Sequence, residues 1–251
     1  VGYGDNGYAT TYDMDGAVDD VRVYDRALSA AEVGALFDGA GLGGSTPNDP
    51  GNRPVPVARW RFTETGGTTV ADSAGGADGF VRGSPTLGTD GVAGTSGIAF
   101  GASPDDYVEV PDAGVLTPTA ALTFGGWYRT DSGANEQTVL QKADARYGET
   151  GYAVDVQTGN SVRAHVGVES GRASVNPWGV ATQDGEWHHV VCTWDGQSLV
   201  MYLDGEAVDR DDSQSGAVVH SDRPLYVGYG DNGYATTYDM DGAVDDVRVY
   251  D

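Results

Sequence analysis

Short runs of apolar residues recur along the chain, separated by glycine, proline and aspartate. In Val162-Arg163-Ala164-His165-Val166 apolar and polar residues alternate, which is typical of a strand with one face in a core. Asp195-Gly196 and Asp204-Gly205 separate such runs and predict tight hairpins. The pattern therefore predicts an antiparallel sandwich whose strands lie at Val57–Thr63, Gly79–Arg82, Gly97–Phe100, Tyr107–Val110, Ala121–Arg129, Thr138–Gln141, Tyr152–Val156, Val162–Val168, Trp187–Trp194, Leu199–Leu203, Leu225–Tyr229 and Ala243–Tyr250.

A helical pattern occurs near the N-terminus of the chain. Ser29 and Glu32 have the spacing of a capping box, and Leu28 and Val33 flank them as a hydrophobic staple. Gly39 supplies a C-terminal stop. These signals predict one short helix of about two to three turns, with capping signals at both ends.

One segment of the chain occurs twice. Val1–Asp25 is identical to Val227–Asp251, an offset of 227 − 1 = 226 residues. Identity over the whole segment exceeds what a shared fold would preserve, so it indicates recent duplication or homogenisation of copies. A period this long corresponds to a whole domain rather than to a solenoid repeat. We therefore expect the chain to be a window from a longer tandem array.

The repeat suggests a division of the chain into three parts. Residues 1–40 form the closing hairpin and helix of the preceding repeat. Residues 41–56 are rich in glycine and proline and have the composition of a partly stiff linker. Residues 57–251 form a sandwich that lacks its C-terminal helix. Because an isolated hairpin is marginally stable, we expect residues 1–25 to be held by the body of another copy.

The charge of the chain narrows its possible partners. The formal net charge is −24, from 38 acidic and 14 basic residues, and Lys142 is the sole lysine. An acidic surface argues against nucleic acid and anionic membranes, because both are polyanions. No apolar run approaches the length of a membrane span. The aspartate excess resembles that of proteins from extreme halophiles.

Several motifs, in the same order, resemble those of laminin G-like domains in the concanavalin A-like lectin/glucanase superfamily. They are Asp105-Asp106-Tyr107-Val108-Glu109-Val110-Pro111, Phe124-Gly125-Gly126-Trp127, Trp187-His188-His189-Val190, Thr193-Trp194-Asp195-Gly196, Tyr202-Leu203-Asp204-Gly205 and Asp245-Asp246-Val247-Arg248-Val249-Tyr250. The resemblance implies an all-β, antiparallel two-sheet jelly roll, with its last strand near its first and a short helix after the closing strand. Together with the repeat and the aspartate excess, it suggests a tandem-repeat surface protein of a haloarchaeon, located outside the cell or at its surface.

The residues for glycoside hydrolysis are not recognisable in the sequence. Glucanases of the superfamily carry a Glu-x-Asp-x-x-Glu strand, whereas the eight glutamates here are scattered. His188 and His189 have no serine or cysteine partner in a recognisable nucleophile elbow. We therefore interpret the sequence around these histidines as a structural strand. Cys192 is expected to be a small buried residue. We predict no enzymatic activity and no catalytic residue.

Calcium is the cofactor that the resemblance implies. A structural ion would lie where the first and last strands meet, at Glu64, Asp72 and Asp245, with Asp19 as the equivalent of Asp245 in the first copy. A different rim site would use Asp231 and Asn232. Oxygen ligands of this kind suit Ca²⁺. The alternative is that these residues are solvated loop aspartates and turn caps.

Three functions are open at this point. The first is a structural or adhesive building block of an extracellular fibre, whose partners are other copies of the repeat. The second is a carbohydrate-binding module that contacts cell-surface glycans. The third, a glycosidase, is disfavoured by the missing carboxylate pair. No sugar-binding stripe can be isolated, because the candidate aromatics are equally compatible with a sandwich core: Trp127, Tyr128, Tyr152, Trp178, Trp187 and Tyr202.

Overall fold

A computed structural model of the chain shows two β-sheets packed face to face, with an α-helix on the outside of one of them. The structure describes residues 15–24, 26–39, 56–92, 95–101, 105–130, 136–144, 149–231, 239–245 and 247–249. The description is confined to the backbone at residues 15–24, 38–39, 241–245 and 247–249.

The elements follow one another as strands joined by turns and loops. The helix α1 spans Ala30–Gly39, and a 3₁₀ turn spans Gly114–Leu116. In chain order the strands are β1 (Asp15–Tyr24), β2 (Ala58–Trp60), β3 (Thr69–Val70), β4 (Gly79–Arg82), β5 (Thr86–Asp90), β6 (Ser96–Gly101), β7 (Tyr107–Val110), β8 (Leu122–Thr130), β9 (Gln137–Lys142), β10 (Tyr152–Gln157), β11 (Ser161–Val168), β12 (Gly171–Val175), β13 (Trp187–Trp194), β14 (Leu199–Leu203), β15 (Glu206–Asp211), β16 (Leu225–Val227), β17 (Asp241–Asp245) and β18 (Val247–Val249).

Within the described ranges, the strands form two large sheets and one small pairing. The first sheet has the order β15-β14-β13-β8-β1-β17-β6-β5, and the second has the order β12-β11-β10-β9-β16-β7-β4-β3. β18 pairs with β2. Neighbouring strands are antiparallel except for β1 and β17, which run parallel. This arrangement confirms the predicted all-β, antiparallel sandwich.

The core lies between the facing sides of the two sheets. Trp60, Phe124 and Trp194 are fully buried there, and Tyr152 is in ring contact with Phe124, 5.0 Å between centroids. In β11, Val162, Ala164 and Val166 enter this core while Arg163 and His165 point to the other side. The period-two pattern therefore identified the core-facing residues correctly.

The predicted strands are confirmed to within a few residues at most positions. The structure adds strands at Thr69–Val70, Thr86–Asp90, Gly171–Val175 and Glu206–Asp211, which are short or rich in polar residues and carry weak alternation. The hairpin at Asp204-Gly205 is confirmed, since both residues have positive φ angles of 51° and 83°. That geometry matches the right-handed twist of the flanking strands.

The capping signals of the helix are also confirmed. The backbone N–H of Ser29 donates to Glu32 Oε2 over 2.9 Å, and the N–H of Glu32 reaches Ser29 Oγ at 3.4 Å. Arg26 holds the Glu32 carboxylate with two hydrogen bonds of 3.2 and 2.8 Å, and this pairing lowers the pKa of Glu32 to about 2. Leu28 and Val33 are buried in one cluster, as the staple requires.

His188 connects two loops at the end of the sandwich. Its Nδ1 lies 2.9 Å from Asp204 Oδ2, and its Nε2 lies 3.1 Å from Asp184 Oδ1. Burial disfavours the charged ring, but hydrogen bonds and charge from both carboxylates outweigh burial and raise the pKa of His188 above its ordinary value. Both ring nitrogens are thus engaged in holding the fold together.

Lys142 fastens β9 to two loops of the second sheet. Its ammonium donates to Asp112 Oδ1, the carbonyl of Ser221 and the carbonyl of Arg223, each over 2.7 Å. The side chain is 1% exposed. All three donors are therefore satisfied, as a buried ammonium requires.

Replacing Lys142 tests whether its hydrogen bonds stabilise the fold. Lys142→Met keeps a long side chain but leaves two carbonyls and a carboxylate without their donor, so the free energy of unfolding should fall by about 2–3 kcal/mol. Urea denaturation measures the change. Arg82→Met removes the exposed Arg82–Glu109 pair and is the matched control, for which we expect little change. Equal effects of the two substitutions would show that Lys142 is not a structural anchor.

Candidate functional site

The most distinctive site is a strand position in the first sheet between β6 and β8. One edge of β6 pairs with β5, and one edge of β8 pairs with β13. The remaining edges of β6 and β8 both pair with β1 and with β17. We call this the closing position, because the segment that fills it joins the two halves of the sheet.

The two duplicated segments enter the closing position in the same register. Gly101 of β6 is paired with Asp15 and with Asp241, which are equivalent residues of the two copies. On β8, Gly16 is opposite Thr130 and Ala243 is opposite Arg129. Ala243 is the equivalent of the residue after Gly16, and Arg129 precedes Thr130, so both copies have the same register on β8 as well. The position therefore accepts the repeated sequence in a single alignment.

Beyond this shared stretch the two copies pair with different strands. β1 continues along β8, where Arg22 is opposite Gly125 and Tyr24 is opposite Thr123. After β17, the second copy pairs through β18 with β2, so that Val247 is opposite Trp60. The two copies therefore share their pairings with β6 and with the end of β8, and their further partners are β8 for the first copy and β2 for the second.

Helix α1 covers the first sheet next to the closing position. Leu28, Val33 and Leu36 pack on Val191 and Tyr202. Thr123 Oγ1 donates to the carbonyl of Arg26 over 2.5 Å, which fixes the entry to the helix. The first copy thus carries an additional apolar anchor.

The Glu64–Asp72 loop contains the first predicted calcium ligands. The Asp72 carboxylate accepts the backbone N–H groups of Arg59, Ala74 and Ala77 at 2.8, 2.9 and 3.0 Å. Asp72 therefore organises its own loop, as the turn-cap alternative expects. Glu64 Oε1 accepts the N–H of Ala71 at 3.0 Å, whereas Oε2 is buried and has no hydrogen-bond partner in the described part of the chain.

The other two predicted ligands of this site lie in the closing segments. The backbone of Asp245 is opposite Trp127 of β8 and opposite Asp19 of β1. The side chains of Asp19 and Asp245 lie outside what the structure describes. Among the side chains that are described, no group of three or more histidine, cysteine, aspartate or glutamate residues is arranged to hold a metal ion. The buried oxygen of Glu64 is nevertheless compatible with a cation, so the calcium site stays a prediction.

The predicted rim site contains an ion pair. Arg223 donates to Asp231 Oδ1 at 3.0 Å and to Oδ2 at 2.5 Å, and the carbonyl of Asp231 accepts a hydrogen bond from Gln141. An ion at this rim would compete with the guanidinium of Arg223 for both carboxylate oxygens. Asn232 lies outside the described residues.

The aromatic candidates separate into buried and exposed residues. Tyr128 and Tyr152 are buried in the sandwich. Trp127 is 7% exposed and stacks on Phe37 of the helix, with 5.6 Å between ring centroids. Trp178, by contrast, is 72% exposed. The sequence could not separate these roles, because the aromatic residues do not form a stripe that the pattern isolates.

A buried polar layer on the second sheet was missed by the sequence analysis. On the side of β10 and β11 that faces away from the core, Asp155 Oδ1 accepts from Thr138 at 3.0 Å and Asp155 Oδ2 from Arg163 at 2.9 Å. Asp155 is fully buried. A Cβ on Gly230 would approach Thr138 Oγ1 to 2.3 Å, so the loop at Gly230 packs closely on this layer. Alternation showed which residues point away from the core but not that a loop covers them.

Two antiparallel sheets around one core, with a closing segment beside an early strand, define a sandwich of the concanavalin A-like class. The sequence profile of the Laminin_G_3 family, described as concanavalin A-like lectin/glucanases superfamily, matches residues 100–251. The chain therefore belongs to this family. No curated protein matches the chain.

Solved structures with similar folds include two toxin binding domains and a domain of an arabinanase. The binding domain of Paraclostridial Mosquitocidal Protein 1 has a TM-score of 0.60 at 12% identity, over 77% of this chain and 48% of that one. Domain 4 of AbnA, a GH43 extracellular arabinanase from Geobacillus stearothermophilus, in complex with arabinotriose, has a TM-score of 0.57 at 15% identity, over 79% and 93%. The binding domain of botulinum neurotoxin DC in complex with SialylT has a TM-score of 0.55 at 12% identity, over 78% and 47%.

These similarities establish the fold. The identities are 12–15%, and the chain spans about half the length of the two toxin chains, with coverages of 48% and 47%. In the described part of the chain, no helix is long and apolar enough to cross a membrane.

Removing calcium tests the site at Glu64. If an ion binds the buried oxygen of Glu64, a chelator should lower the melting temperature in molar salt by about 5–10 °C, since a saturating ligand stabilises the native state. Differential scanning calorimetry of the Glu64→Gln variant should show a smaller calcium effect. Asp231→Asn is the control and should retain the full effect. An unchanged melting temperature on adding calcium or chelator would contradict this site.

Proposed function

We propose that the chain is a building block of an extracellular fibre made of tandem laminin G-like domains. The observation that carries the proposal is the exact recurrence of a 25-residue segment at an offset of 226 residues, which is the size of a whole sandwich. Both copies fit the closing position of one sandwich in one register. Repetition of a complete structural unit is what a linear array of domains requires.

The charge of the chain supports a role outside the cell in concentrated salt. A net charge of −24 gives strong repulsion at low ionic strength and is screened in brine. We propose a halophilic archaeal source, which this composition supports. The structural neighbours are binding domains, so we propose binding rather than catalysis as the activity.

Electron microscopy of a longer chain tests the fibre. A chain with three consecutive 226-residue periods should form threads of evenly spaced globules in molar potassium chloride, because each period folds into one sandwich joined by a linker. The 251-residue chain is the control and should appear as single globules at the same low concentration. Three-period chains that collapse into one compact particle would contradict the fibre.

Glycan binding is the second candidate, and the exposure of Trp178 favours it. The residues before Trp178 are held in place: the N–H of Asn176 donates to Asp209 Oδ2 over 2.7 Å, and Pro177 is buried. The loop therefore presents a large aromatic ring to solvent at 72% exposure from a fixed backbone. Such a ring suits stacking on a sugar. Two neighbouring folds were solved in complexes with arabinotriose and SialylT.

Substitution of Trp178 tests this second function. On a glycan array in molar salt, Trp178→Ala should lower the signal of any bound glycan about tenfold, because stacking contributes roughly 1–1.5 kcal/mol. Phe80→Ala changes another exposed aromatic residue, 39% exposed, and should leave binding unchanged. Absence of glycan binding by the unmodified chain would exclude this function.

A further inference from the structure

Aromatic side chains gather on the outer side of the second sheet, away from the core. Val108 enters the core, so its neighbours Tyr107 and Glu109 on β7 point outwards. Glu109 lies between Tyr226 of β16 and Phe80 of β4, because it is paired with both residues. We call the surface formed by Phe80, Tyr107, Tyr226 and Tyr229 the aromatic face.

The three tyrosines of the aromatic face form one cluster of rings. The centroid of the Tyr107 ring lies 5.7 Å from that of Tyr226 and 4.9 Å from that of Tyr229, and the last two centroids are 5.2 Å apart. Gly228 allows Tyr229 to join the cluster, since its φ angle of 79° turns the chain directly after β16. All three tyrosines are partly exposed, so ring surface stays open to a ligand.

Phe80 forms a second aromatic spot, and an ion pair separates it from the tyrosines. Phe80 is 39% exposed. Between Phe80 and Tyr226, Glu109 accepts two hydrogen bonds from Arg82, of 3.3 and 3.0 Å. Two strand spacings separate the backbones of Phe80 and Tyr226, a distance of about 9.6 Å. A ligand with side chains repeated at about this distance would reach both aromatic spots.

The sequence of the predicted linker has this spacing. Pro47, Pro50, Arg53 and Pro56 recur at every third residue. A polyproline II helix has three residues per turn and rises about 3.1 Å per residue, so it would bring these four side chains onto one face, about 9.3 Å apart. Proline restricts the backbone before binding, which lowers the entropy lost on docking. The linker sequence therefore suits the aromatic face.

The polar groups of the aromatic face also suit such a segment. A polyproline II backbone has no internal hydrogen bonds, so its carbonyl groups are free to accept them. Burial, together with the charge of Glu109, raises the pKa of Tyr107, and its hydroxyl therefore stays protonated as a donor at neutral pH. Asp105 is a further negative charge close enough to affect Tyr107. Negative charge at this place attracts the guanidinium of Arg53.

We propose that the aromatic face docks a polyproline II segment, and that residues 47–56 of a neighbouring copy supply it. The inference rests on the proposed function, because an array of repeated domains brings a linker next to each sandwich. A linker that docks in this way holds consecutive sandwiches at a defined angle, whereas an undocked linker sets only their maximum separation.

Peptide binding tests the docking. A fluorescent peptide of residues 45–56 should gain anisotropy on binding to the Pro47→Ser/Pro50→Ser chain in molar potassium chloride, because the altered linker of that chain does not compete. Phe80→Ala in this chain should weaken binding about fivefold, since one aromatic contact is lost. Tyr107→Phe keeps the ring but removes the hydroxyl donor, and it should weaken binding about threefold.

Two controls separate docking from general adhesion to aromatic residues. Trp178→Ala changes another exposed aromatic residue, 72% exposed, and should leave peptide binding unchanged. A peptide of the same composition, whose prolines no longer recur at every third residue, should bind about tenfold more weakly. Equal binding of the two peptides, equal losses with Phe80→Ala and Trp178→Ala, or no binding of the native peptide would overturn the proposal.

Footprinting gives a readout that needs no substitution on the aromatic face. Saturating peptide should protect Phe80 and the three tyrosines from oxidation by hydroxyl radicals, measured by mass spectrometry. Trp178 should stay as reactive as it is without peptide. Protection of Trp178 in place of the aromatic face would contradict docking at this surface.

Self-association tests whether a neighbouring copy is the donor. The unmodified chain at about 1 mM should sediment faster than at micromolar concentration, and Phe80→Ala or excess peptide should abolish this change. Peptide binding without self-association would assign the site to the linker of the same chain and overturn donation by a neighbour.

These results are distinguishable from those for the fibre. Peptide binding and self-association without threads from three-period chains would support docking and contradict the fibre. Threads without peptide binding would support the fibre and overturn docking.

Discussion

The fold depends on one constraint, which is that the edges of β6 and β8 not used by β5 and β13 are paired by the closing segments β1 and β17. With β5 and β13 on their far sides, β6 and β8 have only these closing segments as further partners within the described sheet. An unfilled position would leave two rows of unpaired amides and carbonyls beside a closed core. Because buried backbone groups must be paired, a closing segment is an obligatory part of the sandwich rather than an accessory.

The sequence predicted the body of the sandwich well because its strands have one face in a common core. Val162, Ala164 and Val166 alternate with polar residues, and the structure buries those three as expected. Local chemistry also determined the helix, since Ser29 and Glu32 satisfy each other within four residues. The strands that were missed, such as Thr86–Asp90, are exposed or half-buried along their length and carry little hydrophobic signal.

The candidate sites were harder to predict because they depend on contacts between distant segments. Nothing near Asp72 in sequence indicates that its carboxylate accepts the amide of Arg59, thirteen residues earlier. Asp231 is paired with Arg223 across a loop, which composition does not reveal. Asp155 belongs to a layer of polar residues that is nevertheless buried. The sequence pattern did not reveal this burial, because periodicity does not show which loops cover a strand. The repeat was visible in the sequence, but the common register in which its two copies pair with β6 and β8 became visible only in the strand pairings.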